Sequence, residues 1–450
     1  MRVLFFCSLL FVSWSASGEP SHADRLTTHG SPRPRAQNAV TEDWPHFLGR
    51  EYNLVSKESG LRTRWDKETE PKLLWELQRG KGYAPPVAAA GKVVMAHRLD
   101  GMETIECLDA TTGELVWIDQ IPIDFGESFG YPEAPQAPPT IDGDKVYFMG
   151  TRALLRCYDF ESGEILWKRD LGKEFEVETH FFGKGGAPLI YGDQVILNLG
   201  GKDNSAVAAF DKLTGDSRWT TEQEWDGSYA SPTPVSFHGQ PRILVFAGGK
   251  SKPPHGGLLS VDPQTGEADF AFPWRATREA SVNSSTPRVV GNRIFMSEAY
   301  TEGGVLLDIG DTMQPTVFQK LPKTNVQFMT PLVREGRYLY GITERTDITA
   351  TWFCLDMETG EELWREGTYG RGNFLETADG VFATGEFGQF MSVKLTPEGP
   401  EILSEMQPFY SPETFCPPTI HDGLLFLVQS TAEPDGSSEP RILCYDLRNE

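Results

Sequence analysis

One turn phrase, Asp-x-x-(Ser/Thr)-Gly-(Glu/Asp), recurs along the chain, usually with a Trp three residues after its last position. It begins at Asp109, Asp159, Asp211, Asp262 and Asp356, and the first four of these positions are separated by 50, 52 and 51 residues. Self-similarity at such a period is typical of repeat architectures, in which each unit buries its apolar face only by stacking on its neighbours. The chain of 450 residues is therefore analysed as repeats and not as two or three unrelated domains.

A second phrase counts the repeats more completely. Pro is followed four or five residues later by Gly and then by a run of β-branched and aromatic residues, and Leu375 replaces the Pro in the seventh case. The eight matches are Pro86…Gly91, Pro139…Gly143, Pro188…Gly192, Pro234…Gly239, Pro287…Gly291, Pro331…Gly336, Leu375…Gly380 and Pro418…Gly423. Each unit reads strand, Gly turn, strand, loop, strand, Asp/Gly turn, strand. Four antiparallel strands in about 40 to 50 residues are the signature of a β-propeller blade.

The two ends of the chain complement each other. The eighth unit stops at Asp446-Leu447 without an outer strand, whereas the segment around Trp75 reads as an outer strand without inner ones. We therefore predict an all-β protein: an eight-bladed β-propeller of four-stranded antiparallel blades, its ring closed by an N-terminal strand that completes the last blade. Such closure removes free sheet edges from the ring.

Three repeats depart from the pattern. The fifth ends its third strand at Asp308 without the Gly turn, the seventh has Lys394 in place of the Asp, and the fourth has Trp274 displaced to a later position. Long inserts occupy residues 119–135 and 171–186. Function is expected where the repeat is broken, because insertions tend to decorate one face of a repeat protein.

The N-terminus reads as a secretory leader. A short positive start, an apolar run from Val3 to Trp14 and the small residues Ser15–Gly18 predict a signal peptide over residues 1–18. Residues 19–43 contain almost no large apolar side chains and are expected to be a disordered linker. The propeller is then expected to span residues 44–450. Since Cys7 lies inside the apolar run and no Cys directly follows the cleavage site, no lipid anchor is expected.

The charge balance restricts the partners. A net charge of −23 disfavours nucleic acid and anionic lipid, which both require basic surface. It suits a secreted, periplasmic or cell-surface monomer kept apart from its copies by repulsion; an electrostatic role toward cations or basic proteins is the alternative. No further stretch is long and apolar enough to cross a bilayer.

Cysteines would be allowed to pair in such a compartment. However, Cys107, Cys157, Cys354 and Cys444 each lie two residues before a repeat Asp. They therefore share one structural position, which predicts a buried small apolar slot. No CxxC or Cys/His cluster is present, so no metal site is expected.

The repeat, strand-Gly-strand-(Cys/Ala)-x-Asp-x-x-Thr-Gly-Glu-x-x-Trp, resembles the pyrroloquinoline-quinone (PQQ)-type propeller repeat. That repeat is shared by PQQ-dependent alcohol dehydrogenases and by the outer-membrane assembly lipoprotein BamB. The resemblance covers residues 44–450, and Trp44-Pro-x-Phe47-Leu-Gly49 also resembles the start of secreted bacterial members. The resemblance implies the fold, whereas the function must be inferred from the residues of the binding or catalytic site.

The resemblance to the dehydrogenases implies a specific ligand set. In those enzymes the quinone lies on the propeller axis between a Trp and a disulfide of two adjacent Cys, with Ca²⁺ held by Glu, Asn and Asp and an Asp as general base. This sequence has no adjacent Cys pair and no CxxCH haem motif. It also lacks Gly-x-Ser-x-Gly and HExxH. No cofactor and no catalytic residue are therefore expected, and PQQ with calcium belongs to the alternative reading.

Segments that precede the inner strands should line one mouth of the channel. They are rich in aromatic and polar residues, which is typical of a surface for a ligand or a peptide; packing between blades is the alternative interpretation. The candidate site residues are Tyr83, Glu127, Tyr131, His180, Tyr229, Asn283, Gln327 and Arg371.

The sequence thus predicts a non-catalytic, BamB-like binding or assembly scaffold that takes a protein, a peptide or a small ligand at the propeller mouth. The first alternative is a PQQ-dependent oxidoreductase, a quinoprotein dehydrogenase with quinone and calcium on the axis. The second is a sensor or recognition partner of another extracytoplasmic protein.

Overall fold

The computed structural model describes residues 21–124, 137–178, 181–249, 253–278, 281, 283–327, 329–343, 350–367 and 370–449. Residues 1–18 lie outside this part of the chain, so the signal peptide remains a prediction. The described residues form eight antiparallel sheets, one per expected repeat, which confirms the eight-bladed propeller.

The described chain begins with α1 (His22–Arg25), β1 (Leu26–Thr28) and β2 (Lys72–Gln78). Blade 1 contains β3 (Val87–Ala89), β4 (Lys92–Leu99), β5 (Met102–Asp109) and β6 (Leu115–Pro122). Blade 2 contains β7 (Thr140–Asp142), β8 (Lys145–Met149), β9 (Leu154–Asp159) and β10 (Ile165–Asp170), and α2 (Leu171–Glu174) follows it. Blade 3 contains β11 (Leu189–Tyr191), β12 (Gln194–Gly201), β13 (Ser205–Asp211) and β14 (Ser217–Thr220), and blade 4 contains β15 (Thr233–Phe237), β16 (Gln240–Ala247), β17 (Gly257–Val261) and β18 (Ala268–Pro273).

Blade 5 contains β19 (Arg288–Val290), β20 (Arg293–Glu298), β21 (Gly303–Ile309) and β22 (Pro315–Leu321). Blade 6 contains β23 (Leu332–Arg334), β24 (Tyr338–Thr343), β25 (Thr351–Asp356) and β26 (Glu362–Gly367). Blade 7 contains β27 (Gly372–Thr377), β28 (Gly380–Gly385), β29 (Phe390–Thr396) and β30 (Gly399–Met406), and blade 8 contains β31 (Thr419–His421), β32 (Leu424–Gln429) and β33 (Arg441–Asp446). Within the described residues, neither four-residue helix has the length needed to cross a membrane.

The first strands of consecutive blades contact one another and surround the axis. The antiparallel order then gives the ring two different ends. The turn face carries the Gly hairpins and the Asp-x-x-(Ser/Thr)-Gly turns. The mouth face carries the segments that lead into the first strands and the connections between second and third strands.

Every outer strand has a β-bulge, which in blades 1, 2, 3, 6 and 8 directs the Trp of the repeat toward the next blade. The register between third and fourth strand shifts in all eight blades, for example between the pairs Cys107↔Trp117 and Leu108↔Leu115. Such a bulge re-aims a side chain and increases the local twist. In these five blades the indole N–H donates to a backbone carbonyl of the following blade: Trp75 to Ala110 (3.1 Å), Trp117 to Phe160 (2.8 Å), Trp167 to Lys212 (3.1 Å), Trp219 to Pro263 (3.1 Å) and Trp364 to Thr396 (2.8 Å). The displaced Trp274 of blade 4 donates likewise to Gly303 of blade 5 (3.0 Å).

Two separate constraints require glycine in the turn phrase at this contact between blades. Gly163 has φ +73°, a left-handed conformation that favours glycine, and a Cβ atom there would lie 2.6 Å from the Trp117 ring. Asp159 holds the same turn by accepting the backbone N–H groups of Glu161 (3.1 Å) and Ser162 (2.8 Å). The repeated phrase is therefore the contact between blades.

The interface between blades 5 and 6 is built differently, because the fifth outer strand has no Trp. Arg293 takes the place of the indole donor: its Nη1 donates to the carbonyls of Met357 (2.7 Å) and Glu358 (2.5 Å), and its guanidinium lies 3.5 Å from the centre of the Phe318 ring. Arg293 also pairs with Asp308 (2.7 Å). A cleft of about 410 Å³ opens on the turn face beside these residues.

The ring closes as predicted, since β2 pairs with β33 and Trp75 packs on the first blade. Part of the segment expected as a disordered linker, residues 21–43, lies in the described chain and contacts the propeller body. Strand β1 pairs with β2 as a fifth strand of blade 8, and Arg33 Nε donates to Asp446 at 3.0 Å. Backbone pairing at a sheet edge and ion pairs with the acidic body compensate there for the lack of large apolar side chains.

Residues 44–60 form a plug that crosses the axis near the turn face, which sequence analysis did not foresee. Trp44 pairs with Ala88 of blade 1, Val55 pairs with Glu376 of blade 7, and Arg288 of blade 5 donates to the carbonyls of Tyr52 (2.9 Å) and Asn53 (3.1 Å). The free backbone edges of the inner strands are thus satisfied by the chain itself.

The cysteine prediction is confirmed for all four repeat positions. Cys107, Cys157, Cys354 and Cys444 are free thiols buried in the third strands of their blades. Burial raises the pKa of Cys107, Cys157 and Cys354 to about 12, so these thiols are structural and unreactive.

Candidate functional site

Five of the eight candidate site residues lie in the described part of the chain, all on the mouth face: Tyr83, Tyr229, Asn283, Gln327 and Arg371. Glu127, Tyr131 and His180 lie outside the described residues, and their assignment remains a prediction. The structure divides the five residues into two groups on different blades.

Tyr83 and Arg371 come together around one ring that the sequence placed at the same mouth. The rings of Tyr83 and Phe415 are 5.4 Å apart, and the Arg371 guanidinium lies 4.9 Å from the centre of the Phe415 ring. The Tyr83 hydroxyl donates to Glu413 at 3.2 Å. Blades 1, 7 and 8 each contribute one element, so a single surface is assembled from residues about 300 positions apart in the chain.

The Arg371 side chain is held in a fixed orientation. Its Nε donates to Glu386 at 2.6 Å and its Nη2 pairs with the other oxygen of the same carboxylate, whose side chain is 4% exposed. A two-point ion pair of this kind fixes the plane of the guanidinium. Arg371 therefore presents a rigid cationic face beside Phe415.

Two aromatic residues that sequence analysis missed extend this surface. Phe387 and Tyr410 stack with ring centres 5.7 Å apart and planes 13° apart, and Tyr410 is 56% exposed. Their loops are joined to the first cluster, because Thr414 N donates to the Glu386 carbonyl at 2.9 Å. We call the set Tyr83, Arg371, Phe387, Tyr410 and Phe415 the aromatic mouth surface. The signal for Phe387 was present in the sequence: it lies in the seventh repeat, whose pattern is broken.

Tyr229, Asn283 and Gln327 behave differently, because they join neighbouring blades. Asn283 is 1% exposed and its Nδ2 donates to the carbonyls of Ala247 (2.7 Å) and Trp274 (3.2 Å). Tyr229 N donates to the Asn283 carbonyl at 3.1 Å, and Ser284 Oγ donates to the Gln327 carbonyl at 2.5 Å. The Asn283 amide is thus used in packing between blades, whereas Tyr229 and Gln327 join neighbouring blades through these backbone atoms.

Beneath this second group lies a buried charge that sequence analysis also missed. Lys184 is 1% exposed and its Nζ donates to the Leu199 carbonyl at 2.9 Å. Burial lowers the pKa of Lys184 to about 8, while burial raises the pKa of the nearby Asp226. Lys184 ties the insert after β10 to strand β12, and it is too enclosed to reach a ligand.

The ligand set of the quinoproteins does not fit the residues present. The sequence has no adjacent Cys pair, so a disulfide of adjacent cysteines cannot stack on a quinone. Across the described ranges, no group of three or more His, Cys, Asp or Glu side chains is arranged to hold a metal ion. No catalytic step through a quinone is therefore derived for this chain.

Comparison with solved structures finds the same fold at low sequence identity. A europium-containing methanol dehydrogenase aligns with a TM-score of 0.64 and 12% identity, over 90% of this chain and 98% of that chain. BamB from Moraxella catarrhalis aligns with a TM-score of 0.55 and 14% identity, over 84% of this chain and 98% of that chain. Both likenesses establish the propeller architecture alone.

Among curated sequences, a tetrathionate hydrolase of Acidithiobacillus ferrooxidans is 22% identical over 207 residues. This match covers 43% of the chain and only 37% of that protein. The model of a protein family described as outer membrane protein assembly factor BamB matches residues 101–366, which is more than half of the chain. The chain therefore belongs to this BamB family of PQQ-like propellers.

Proposed function

We propose that this protein is an extracytoplasmic, non-catalytic binding scaffold that holds a segment of a partner protein on its aromatic mouth surface. The observation that supports this most strongly is the exposed Phe387–Tyr410 stack beside the fixed Arg371 and Phe415. Tyr, Phe and Arg are the side chains enriched at protein interfaces, because they bring large contact area at low entropic cost. Membership of a family described as an assembly factor supports the same assignment.

The chemistry of the surface selects the class of partner. Rigid rings with an adjacent guanidinium suit an extended segment that carries aromatic or proline side chains. The overall charge of −23 disfavours a strongly acidic partner, and Glu386 already pairs with the Arg371 guanidinium.

A displayed peptide library selected on the full chain tests the proposal. Selected peptides should lose about tenfold or more in affinity against Tyr410→Ala and Arg371→Ala, since aromatic and arginine anchors dominate interface energies. Leu213→Ala is the matched control, because Leu213 is 60% exposed but lies in a turn on the opposite face. Peptides that bind all variants equally, or no enrichment at all, would contradict the proposal.

Quinone chemistry is tested separately by titrating the chain with PQQ and Ca²⁺. The scaffold proposal expects no substrate-dependent reduction of a dye. Dye reduction that disappears on addition of a chelator would replace it with the oxidoreductase alternative.

The extracytoplasmic location rests on the predicted signal peptide. Expression with residues 1–18 in place should yield a mature chain that begins at Gly18 or Glu19, as measured by intact mass. An unprocessed product in the cytoplasm would contradict this part of the proposal.

A further inference from the structure

The N-terminal arm, residues 21–30, occupies a built site on blade 8 that the ring does not require. Blade 8 already has four strands, β31, β32, β33 and β2, like the other seven blades. Strand β1 adds a fifth, with Leu26 opposite Leu77, Thr27 opposite Glu76 and Thr28 opposite Trp75. The arm thus lies on a complete blade as an added edge strand.

The residue before β1 fills a deep pocket between blades 8 and 1. Arg25 is 5% exposed, its Nη1 donates to the Gln78 carbonyl at 2.9 Å, and its Nη2 pairs with Glu106. Glu106 and His97 are fully buried, and His97 Nε2 lies 3.6 Å from the second Glu106 oxygen. Burial by itself raises the pKa of Glu106, but His97 and Arg25 outweigh it and lower the pKa of that carboxyl to about 2. The pocket therefore holds a buried, charged carboxylate, which requires a positively charged partner.

Comparison with the next interface shows that the cation is supplied from outside the blades. One residue before its buried cysteine, blade 2 has Arg156 where blade 1 has Glu106. Arg156 is paired by Asp119 (3.0 Å), two residues after Trp117 on the outer strand of blade 1. Blade 8 has Leu77 at the corresponding place on β2, two residues after Trp75, so its outer strand offers no charge at this position. Arg25 of the arm provides the missing partner of Glu106.

The arm makes further contacts, including one in which His29 Nε2 lies 3.0 Å from Glu76 Oε1. His22 Nε2 lies 2.9 Å from the Gly113 carbonyl, His29 N donates to the Leu74 carbonyl at 2.7 Å, and Leu26 contacts the Gly113 turn. Further along, Arg33 and Arg35 hold the chain to Asp446 and Asp422 (3.0 Å each). Residues 21–30 are therefore a short segment that can detach while the residues after it remain bound to the propeller.

We propose that the β2 edge and the Glu106 pocket form a peptide-binding site that the arm occupies in the free protein. Its partner is an extended segment of another protein in which an arginine precedes an aliphatic residue and β-branched residues. The segment pairs antiparallel with β2 and inserts the arginine between blades 8 and 1, as Arg25-Leu26-Thr27-Thr28 does. This site is separate from the aromatic mouth surface.

The test measures binding of a fluorescein-labelled peptide with the sequence of residues 21–31 to the full chain by anisotropy. In the parent protein the tethered arm competes at an effective concentration in the millimolar range, so binding should be weak. Arg25→Ala removes the anchor of the arm and should strengthen peptide binding by about tenfold or more. The same peptide with its arginine replaced by alanine should bind that variant about tenfold more weakly.

Thr27→Pro is the second variant, because it removes a backbone donor from β1 and leaves the pocket intact. Arg50→Ala is the control, since the exposed Arg50 pairs with Asp43 away from the arm and should leave the parent's weak binding unchanged. Absence of saturable binding to both arm variants, while they melt like the parent, overturns the proposal. Equal binding of both peptides, or a concentration-dependent dimer that exchanges arms between copies, overturns it as well.

Discussion

The turn face and the mouth face of the ring are built from opposite kinds of sequence. On the turn face, the same Asp, Gly and Trp recur from blade to blade, and the plug closes the axis. On the mouth face, each blade carries different residues, and a stacked aromatic pair reaches solvent. The difference teaches that the repeated residues carry stability and the unrepeated ones are available for recognition.

The largest effect is expected from Trp117→Ala on the turn face. Trp117 is 6% exposed, stacks on Tyr158 at 5.6 Å and donates to Phe160, so its loss should lower the free energy of unfolding by about 3 to 5 kcal/mol. Urea unfolding measures the change. The neighbouring Val116→Ala is the control, since Val116 is 41% exposed and should cost no more than about 0.5 kcal/mol. Similar values for the two variants would remove the distinction between repeat and surface residues.

The plug makes stability depend on acid. Burial lowers the pKa of His46 to about 3, so its imidazole stays neutral in the fold while the unfolded chain is protonated below about pH 6.5. The unfolded state then binds more protons, and the free energy of unfolding should fall by about 1.4 kcal/mol per pH unit as pH drops through this window. Between pH 6.5 and 5 the loss should be about 2 kcal/mol.

His46→Asn keeps an acceptor for Leu48 N and removes the titration. Urea unfolding at several pH values should show a slope flattened by this amount. Some slope should remain, because burial also lowers the pKa of His97. Parallel slopes in parent and variant would show that His46 is not enclosed by the plug.

A smaller effect is expected at the interface that lacks its Trp. Arg293→Met removes the donors to Met357 and Glu358 and should lower the free energy of unfolding by about 1 kcal/mol, since the guanidinium is partly solvated. Arg337→Met is the control on the same cleft, because Arg337 is 42% exposed and should cost less. A loss as large as that of Trp117→Ala would make the two kinds of interface equivalent.

The smallest effect is expected on the mouth face. Tyr410→Ala should change the free energy of unfolding by no more than about 0.5 kcal/mol, because Tyr410 is 56% exposed and packs on one ring. Thermal unfolding checks this. A loss of several kcal/mol would move Tyr410 from the binding surface to the structural core.

Much of the fold was accessible from the sequence, because it rests on local chemistry. The Gly turns, the Asp that accepts N–H groups and the Trp three residues later act within one or two blades. The Pro…Gly phrase counted eight units, and the incomplete ends predicted that β2 closes the ring. The contacts of the arm were not foreseen, because composition measures apolar burial and does not register ion pairs such as Arg25 with Glu106.

The candidate site was less accessible, because contact across blades is set by the ring and not by sequence distance. Tyr83 and Arg371 were selected separately, and the closure of the ring placed both beside Phe415. Asn283 looked like a ligand residue, yet its amide donates to the carbonyls of Ala247 and Trp274. Tyr410 gave no signal in the sequence, because it lies in a connection between blades, where no repeating pattern exists from which a residue could depart.

The sequence by itself determined the number of blades, the turn chemistry of each and the strand that closes them, because these depend on residues near one another in the chain. Only the tertiary structure decided that residues 44–60 fill the axis, that Arg293 replaces a missing Trp and that blades 7, 8 and 1 share one aromatic surface. These features depend on which groups the closed ring leaves unsatisfied or exposed. That is decided only when the ring has formed, so it cannot be read from the chain before folding.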